Sequence, residues 1–448
     1  MRATVNYNSV ARSAQSADAA HMRSKKIVFY GNFGSGNLGN ECTLQVVVEQ
    51  LRERWPDAEL VCLCAIPEDV RSRHGIAAVR ASVNESGWRW AARGRAPEPG
   101  AAAAPSMGTP ARILSKVARL VLRRAPLELL QWLEGVRLLM HVDLLIIPGT
   151  QIVSDYLCGP AGWPYDIFKW STLAALCRVR LAFLSIGVGP IRHPLSRWMI
   201  LTSLRLASYR SYRDEESKHY ARSIGLAAEH DPVYPDLVFG LSQRHLCAMG
   251  EPGPAPRVVG LGLKNYNGAA DEATSLAERA YFETMADFVA WLEQRGYAVR
   301  LLIGDLQYDL EPRRAFCALL EQRGILAQSP LLLSDDPLTV GELIGQIAQT
   351  DFVISPRFHN LVLAMLQHKP VICLSDHVKL DSLFTRLGLT EYRMQLQNLT
   401  AATLIKGFED LEREAARLRR HIEYEMQQSR RALEEQYAQL FSAACGAD

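Results

Sequence analysis

Residues 351–381 read DFVISPRFHNLVLAMLQHKPVICLSDHVKLD. Asp351-Phe352-Val353-Ile354-Ser355 is apolar, β-branched and closed by a small polar residue, which predicts a short buried strand. Pro356 has no N–H to give to a ladder and stops it. Arg357-Phe358-His359-Asn360 then opens a helix. Leu361, Val362, Leu363, Met365 and Leu366 leave that helix little polar face, so it is expected to be buried. Lys369-Pro370 ends it, and Val371-Ile372-Cys373-Leu374 is the next buried strand. The unit is strand–helix–strand, with an Arg and a titratable His on the first turn of the helix.

That position has chemical consequences. A helix start presents unpaired N–H groups and a partial positive charge, a ready site for phosphate or carboxylate. In a parallel α/β sheet, ligands sit beyond the carboxyl ends of the strands, where Arg357 and His359 would lie. Two roles stay open on these residues alone. Either Arg357 and His359 face a ligand, or Arg357 pairs with a structural acid and His359 caps the helix.

Upstream of the unit, Val258–Leu263 and Ala298–Ile303 read as strands, with another at Leu331–Ser334. Asp271–Arg295 contains a long amphipathic helix and Val340–Ala348 a shorter one. Residues 258–400 thus form one α/β half, preceded by a Pro- and Gly-rich linker over 247–257. Downstream, 401–448 is a helical tail. Leu404, Phe408, Leu411, Ala415, Leu418 and Ile422 alternate spacings of four and three, a heptad-like seam. It either packs back across both halves, the favoured arrangement, or pairs with a second subunit as a homodimer.

Residues 25–246 form a second α/β half. Lys26–Tyr30 is its first strand, and Gly31-Asn32-Phe33-Gly34-Ser35-Gly36-Asn37-Leu38-Gly39-Asn40-Glu41 its glycine-rich turn. A helix follows from about Cys42 to Arg54. Residues 34–39 match G-x-G-x-x-G, but the acid a dinucleotide site wants after the next strand is poorly placed. The glycines more simply let the backbone approach a ligand or a facing domain closely. Strand Val142–Ile147 leads into Pro148-Gly149-Thr150-Gln151 with Asp155 behind it, and Leu181–Ile186 leads into Gly187-Val188-Gly189-Pro190. Asp214 or Glu215 suits a helix start. Residues 95–110 read as a flexible insertion. Ala111–Arg124 is amphipathic and basic, suited either to its own domain or to peripheral contact with an anionic membrane.

Composition excludes several classes. The chain has 448 residues, 48% apolar and 22% charged, with a net charge of +2 that gives no reason to propose nucleic-acid binding. Nine scattered cysteines form neither a disulfide framework nor a metal-ligand spacing, which points to reduced thiols and a cytoplasmic setting. No run of about eighteen apolar residues predicts a membrane span. Residues 1–24, rich in Ala and Ser, lack the apolar core of a signal peptide and are expected to be disordered or a processing remnant.

An ordered set of these pieces resembles the polysaccharide pyruvyl transferase family over about residues 26–390. Asn37-Leu38-Gly39-Asn40-Glu41 resembles its Asn-x-Gly-Asp-Glu turn, and Ile147-Pro148-Gly149-Thr150 its strand ending in two glycines. Ile186-Gly187-Val188-Gly189-Pro190 resembles its Gly-Pro turn, Arg213-Asp214-Glu215-Glu216-Ser217 its Arg-Asp-x-x-Ser element, and Asp231-Pro232 its Asp-Pro step. Ser355-Pro356-Arg357-Phe358-His359 is similar to its Ser-x-Arg-Leu-His core, and Lys379 stands where its later Lys falls. Asn40, Thr150 and Phe358 depart from the usual Asp, Gly and Leu.

The resemblance implies an α/β fold of two Rossmann-like domains facing across a cleft, as in GT-B glycosyltransferases, with the tail appended. It implies phosphoenolpyruvate as co-substrate, no separate cofactor and no metal. The enolpyruvyl carbon would become a ketal on hydroxyls of a saccharide acceptor, lipid-linked or free, with phosphate released, in exopolysaccharide or cell-surface glycan synthesis. A lipid-linked acceptor would put the enzyme at the inner face of the membrane. Arg357 and the adjoining helix start would take the donor phosphate and Arg213 its carboxylate. Phe358, Asn360 and Lys379 complete the donor side. His359 would be general acid, and Asp155 or Asp214 would deprotonate the acceptor. Asn37, Asn40, Glu41, Gly149 and Thr150 form the acceptor side. The rivals are a GT-B glycosyltransferase using a nucleotide sugar and a catalytically silent binding partner.

Overall fold

In a computed structural model, residues 24–82, 126–156, 158–246, 257–264, 272–325, 332–333 and 335–445 are described. The expectations placed on 1–23, on the 95–110 insertion, on the basic segment 111–124 and on linker residues 247–256 lie outside the described residues.

Two six-stranded, wholly parallel sheets organise the described residues. The first contains β1 (Lys26–Tyr30), β2 (Glu59–Cys64), β3 (Ala77–Arg80), β4 (Leu144–Pro148), β5 (Arg180–Ile186) and β6 (Tyr209–Tyr212), ordered 3-2-1-4-5-6. The second contains β7 (Val258–Gly262), β8 (Ala298–Leu302), β9 (Leu332–Leu333), β10 (Phe352–Ser355), β11 (Val371–Ser375) and β12 (Arg393–Gln395). Its order, 12-11-10-7-8-9, is the same Rossmann order counted from its own first strand. Central strands such as β1 and β10 are buried on both faces, which accounts for their unbroken apolar runs. In each sheet the order reverses beside the first strand, and a crevice opens there at the carboxyl ends. The loops after β1, β4, β7 and β10 therefore share one cleft between the halves.

Helix α1 (Leu38–Arg54) starts earlier than the sequence pattern indicates, inside the glycine-rich turn. The cause is Asn37, whose side chain accepts the Asn40 N–H at 3.1 Å and so caps the helix before Gly39. The turn meets the other half directly. Leu38 N–H donates to Gly304 O at 3.1 Å and Leu306 N–H to Gly36 O at 3.0 Å, while Asn37 Nδ2 donates to Asp305 Oδ2 at 2.8 Å. The glycines thus serve a close approach to a facing domain. One apolar cluster runs through both halves, from Leu44 and Val47 to Leu361 and Met365.

The tail is two helices, Ala401–Arg413 and Ala415–Cys445. Leu404, Phe408, Leu411, Leu418 and Ile422 are buried in the shared core, so the heptad-like seam is spent within the chain. The second tail helix continues onto the first half, where Phe441 packs edge-on against Trp55 at 4.8 Å between centroids. Among the described residues no helix is long and apolar enough to cross a membrane. Nor do three or more His, Cys, Asp or Glu side chains gather there as a metal set.

Candidate active site

The cleft holds a cavity of about 470 Å³ lined from both halves. On the second half, Ser355 ends β10 and its Oγ accepts the Arg357 N–H at 3.0 Å. The helix Phe358–Leu366 begins after Arg357, which offers it no side-chain cap. Its leading N–H groups lack intrahelical acceptors and leave a positive end at the cleft.

Arg357 lines the cavity and also pairs with Asp309, so it has the structural acid that the sequence left open. Asp309 is 1% exposed. Its Oδ2 accepts the N–H groups of Gly304 and Asp305 at 2.9 Å each. Burial pushes the Asp309 carboxyl above the usual range while Arg357 opposes it. Burial disfavours charge on Arg357, but Asp309 and Asp305 prevail and hold its pKa above the ordinary value. Its Nε is buried with no hydrogen-bond partner among the described residues.

His359 does not cap the helix. A Cβ built on Gly39 would overlap its Nδ1, so the imidazole lies flush against the backbone of α1. Burial lowers its pKa, Lys379, Arg213 and Arg357 add to the effect against Asp236, and the result is about 3. The ring is therefore neutral near pH 7. Lys379 enters from the first turn of the helix Val378–Arg386, capped by His377. Its Nζ stands 3.7 Å from the Phe358 ring centroid. Burial and then Arg213 bring its pKa down to about 7, with Asp236 and Asp214 resisting.

Arg213 follows β6 and reaches the same place from the first half. Its Nε pairs with Asp214 at 3.2 Å and its Nη1 lies 3.9 Å from Asp236. The guanidinium rests on Gly187, where any Cβ would overlap it. Arg213, Arg357, His359 and Lys379, spread over the sequence, are thus brought together.

Other expected residues have different places. Asn37, Asn40, Gly149 and Thr150 line the cavity. Glu41 does not: it is fully buried, accepts the Gly34 N–H at 2.8 Å and pairs with His74 at 2.9 Å, bracing the glycine-rich turn. Asp155 is consumed by the N–H groups of Arg192 and His193 at 2.7–3.0 Å. Burial would raise its pKa, but those donors outweigh it and hold it low, a poor setting for a base. Asp214 accepts the Ser217 N–H at 2.7 Å as the N-cap of the helix Glu215–Ser223. Asn360 is wholly buried beside Gly262 and Gly304, beneath the cleft. Asp236, Asp305 and Asp309 set the local charge yet carried no motif; for the latter two, only their position just past β8 could have drawn notice.

The sequence model of a family described as polysaccharide pyruvyl transferase matches residues 37–377. No curated protein matches the sequence. Among solved structures, a glycosyltransferase from Rickettsia africae superposes with a TM-score of 0.55 at 9% identity, covering 95% of this chain and 100% of that one. The UDP-GlcNAc 2-epimerase from Methanocaldococcus jannaschii gives 0.53 at 11% identity, covering 86% and 92%. The UDP-GlcNAc 2-epimerase from Neisseria meningitidis, bound to UDP-GlcNAc, gives 0.50 at 11% identity, covering 89% and 94%. At such identities the likeness is one of fold, the two-domain GT-B arrangement.

Proposed function

Because the chain belongs to the polysaccharide pyruvyl transferase family, we propose that it moves the enolpyruvyl group of phosphoenolpyruvate onto a saccharide as a ketal. The observation that carries this reading is the convergence of Arg213, Arg357, Lys379 and His359 on one cleft. Phosphoenolpyruvate bears a phosphate and a carboxylate, and such a ligand needs two cationic seats. Arg357, Lys379 and the start of the helix Phe358–Leu366 suit the phosphate. Arg213 suits the carboxylate.

Ketal formation joins two acceptor hydroxyl oxygens to C2 of the donor and breaks the C2–O bond to phosphate. One hydroxyl proton ends on the methylene carbon, making a methyl group. The other leaves on the phosphate. His359 is the group proposed to protonate the methylene carbon. It is neutral because burial disfavours its charge and the cations around it add to that effect. A donor carrying several negative charges reverses that field and draws a proton onto it. Lys379, with a pKa of about 7, is suited to follow the departing phosphate. A positioned acid is worth roughly 10²–10⁴ in rate.

Calorimetric titration of the purified chain with phosphoenolpyruvate, beside a panel of nucleotide sugars, tests the reading. Binding of phosphoenolpyruvate, lost in Arg213→Ala, is the expected result. Binding of a nucleotide sugar alone would replace pyruvyl transfer with glycosyl transfer, the activity named for the Rickettsia structural neighbour. Binding of neither would support a silent partner.

A further inference from the structure

The cleft wall facing the cationic cluster differs from it in kind. It comes from the loops after β1 and β4 and from Trp163, the first residue of the helix Trp163–Leu176. Asn32, Asn40, Thr150, Ser154, Tyr156 and Trp163 line the cavity there, and none carries a charge. Arg192, an exposed residue on the rim, is the exception. The nearby carboxylates of Glu41 and Asp155 are engaged with the backbone, as described above.

Two polar atoms on this wall are unsatisfied among the described residues. Trp163 Nε1 and Asn32 Oδ1 are both buried without a hydrogen-bond partner. One is a donor only and the other an acceptor only, while a hydroxyl both donates and accepts. An orphaned buried polar atom is costly, and a ligand that completes both recovers that cost. Beside them the Trp163 ring, and Tyr156 at 46% exposure, offer aromatic surface with a polar edge. The backbone here leaves little latitude: a Cβ on Gly149 would overlap the Ser185 carbonyl, and Gln151 holds a left-handed φ of 59°.

We infer that this wall is a subsite for an uncharged pyranose. The sugar packs an apolar ring face on Trp163 and Tyr156, and its hydroxyls complete Trp163 Nε1 and Asn32 Oδ1. The inference rests on the transfer reaction proposed above and narrows its acceptor: a neutral hexose presenting a free pair of hydroxyls, rather than a uronate or other anionic sugar.

Saturation-transfer NMR on the full chain, using methyl glucopyranoside, galactopyranoside, mannopyranoside and glucuronide as probes, tests it. Transfer to at least one neutral probe is expected, weakened roughly tenfold in affinity in Trp163→Ala and clearly in Tyr156→Ala. Trp163→Phe, which keeps a ring but loses the N–H, should fall between. Phosphoenolpyruvate titration of the same samples reports folding and the donor site. Unchanged sugar affinity in Trp163→Ala, preference for the glucuronide, or no transfer to any neutral probe would overturn the subsite even if phosphoenolpyruvate binds. Sugar binding without phosphoenolpyruvate binding would instead overturn the donor reading and leave the subsite standing.

Discussion

Gly39 and His359 occupy one spot from opposite halves of the chain: the imidazole fills the space a side chain on Gly39 would need. The first helix of one half therefore sets the height of the titrating group of the other.

Gly39→Ala tests that dependence. Alanine is the better helix former by roughly 1 kcal/mol, so secondary structure is not threatened. The methyl group must displace His359 or part the two halves. The expected outcome is a fall in turnover of roughly 10²-fold, since small misplacements of reacting groups carry costs of that order, beside a stability loss of about 1–3 kcal/mol from overpacking the contact. Wild-type turnover would show that the position of His359 does not limit the reaction.

Arg357→Ala is expected to harm the fold as well as the donor site. Asp309 is almost fully buried and would lose its cation. Stranding one member of such a pair costs about 3–5 kcal/mol. The double variant Arg357→Ala/Asp309→Asn should regain part of that stability in urea unfolding while still failing to bind phosphoenolpyruvate. Donor affinity equal to wild type in the double variant would remove Arg357 from the site.

Donor binding should take up protons. Lys379, with its pKa of about 7, is largely neutral at a pH of about 8. His359, at about 3, is wholly so. Negative charge raises both values, so bound protein holds more protons than free protein, and affinity must decline as pH rises above 7. Calorimetry in buffers of different ionisation enthalpy should read net uptake near that pH, reduced in Lys379→Met. Net release would contradict the assignment. Stability runs the other way with pH. Both groups have folded pKa values below their ordinary ones, so their contribution rises with pH, from about 3 to about 6.5 for His359 and from about 7 to about 10.5 for Lys379.

The strands and the Arg357–His359 turn were legible because they depend on local patterns: β-branched runs buried on both faces, a Pro that breaks a ladder, small residues where a strand meets a loop. Arg213 was found by motif alone. Its partner Asp236, and Asp309 behind Arg357, could not be read, because pairing across tens of residues leaves no periodic trace. Asp155 and Glu41 misled for a related reason. A carboxylate near a strand end looks the same in sequence whether it faces a ligand or is consumed by backbone N–H groups. Trp163 and Tyr156 lay in a stretch without a motif, and only the cleft gives them a common purpose.

The tail reaches the cleft from behind, through Gln436. This residue is wholly buried. Its Nε2 donates to Ser211 Oγ at 2.6 Å, and its amide is 3.1 Å from Ser185 Oγ. Ser185 sits at the irregularity in the β5–β6 register with a left-handed φ of 45°, a strained state for a residue with a side chain. The same residue's carbonyl packs on Gly149, at the uncharged wall of the cleft. Gln436→Leu keeps the volume and removes the hydrogen bonds, leaving buried hydroxyls short of partners at a cost of about 1–3 kcal/mol. Urea unfolding should show that loss. Ser185 is then freer to relax against Gly149, so the acceptor KM should rise several-fold while phosphoenolpyruvate affinity holds. A stability loss with unaltered acceptor KM would confine Gln436 to fastening the tail, and the strained Ser185 would have no bearing on the acceptor wall.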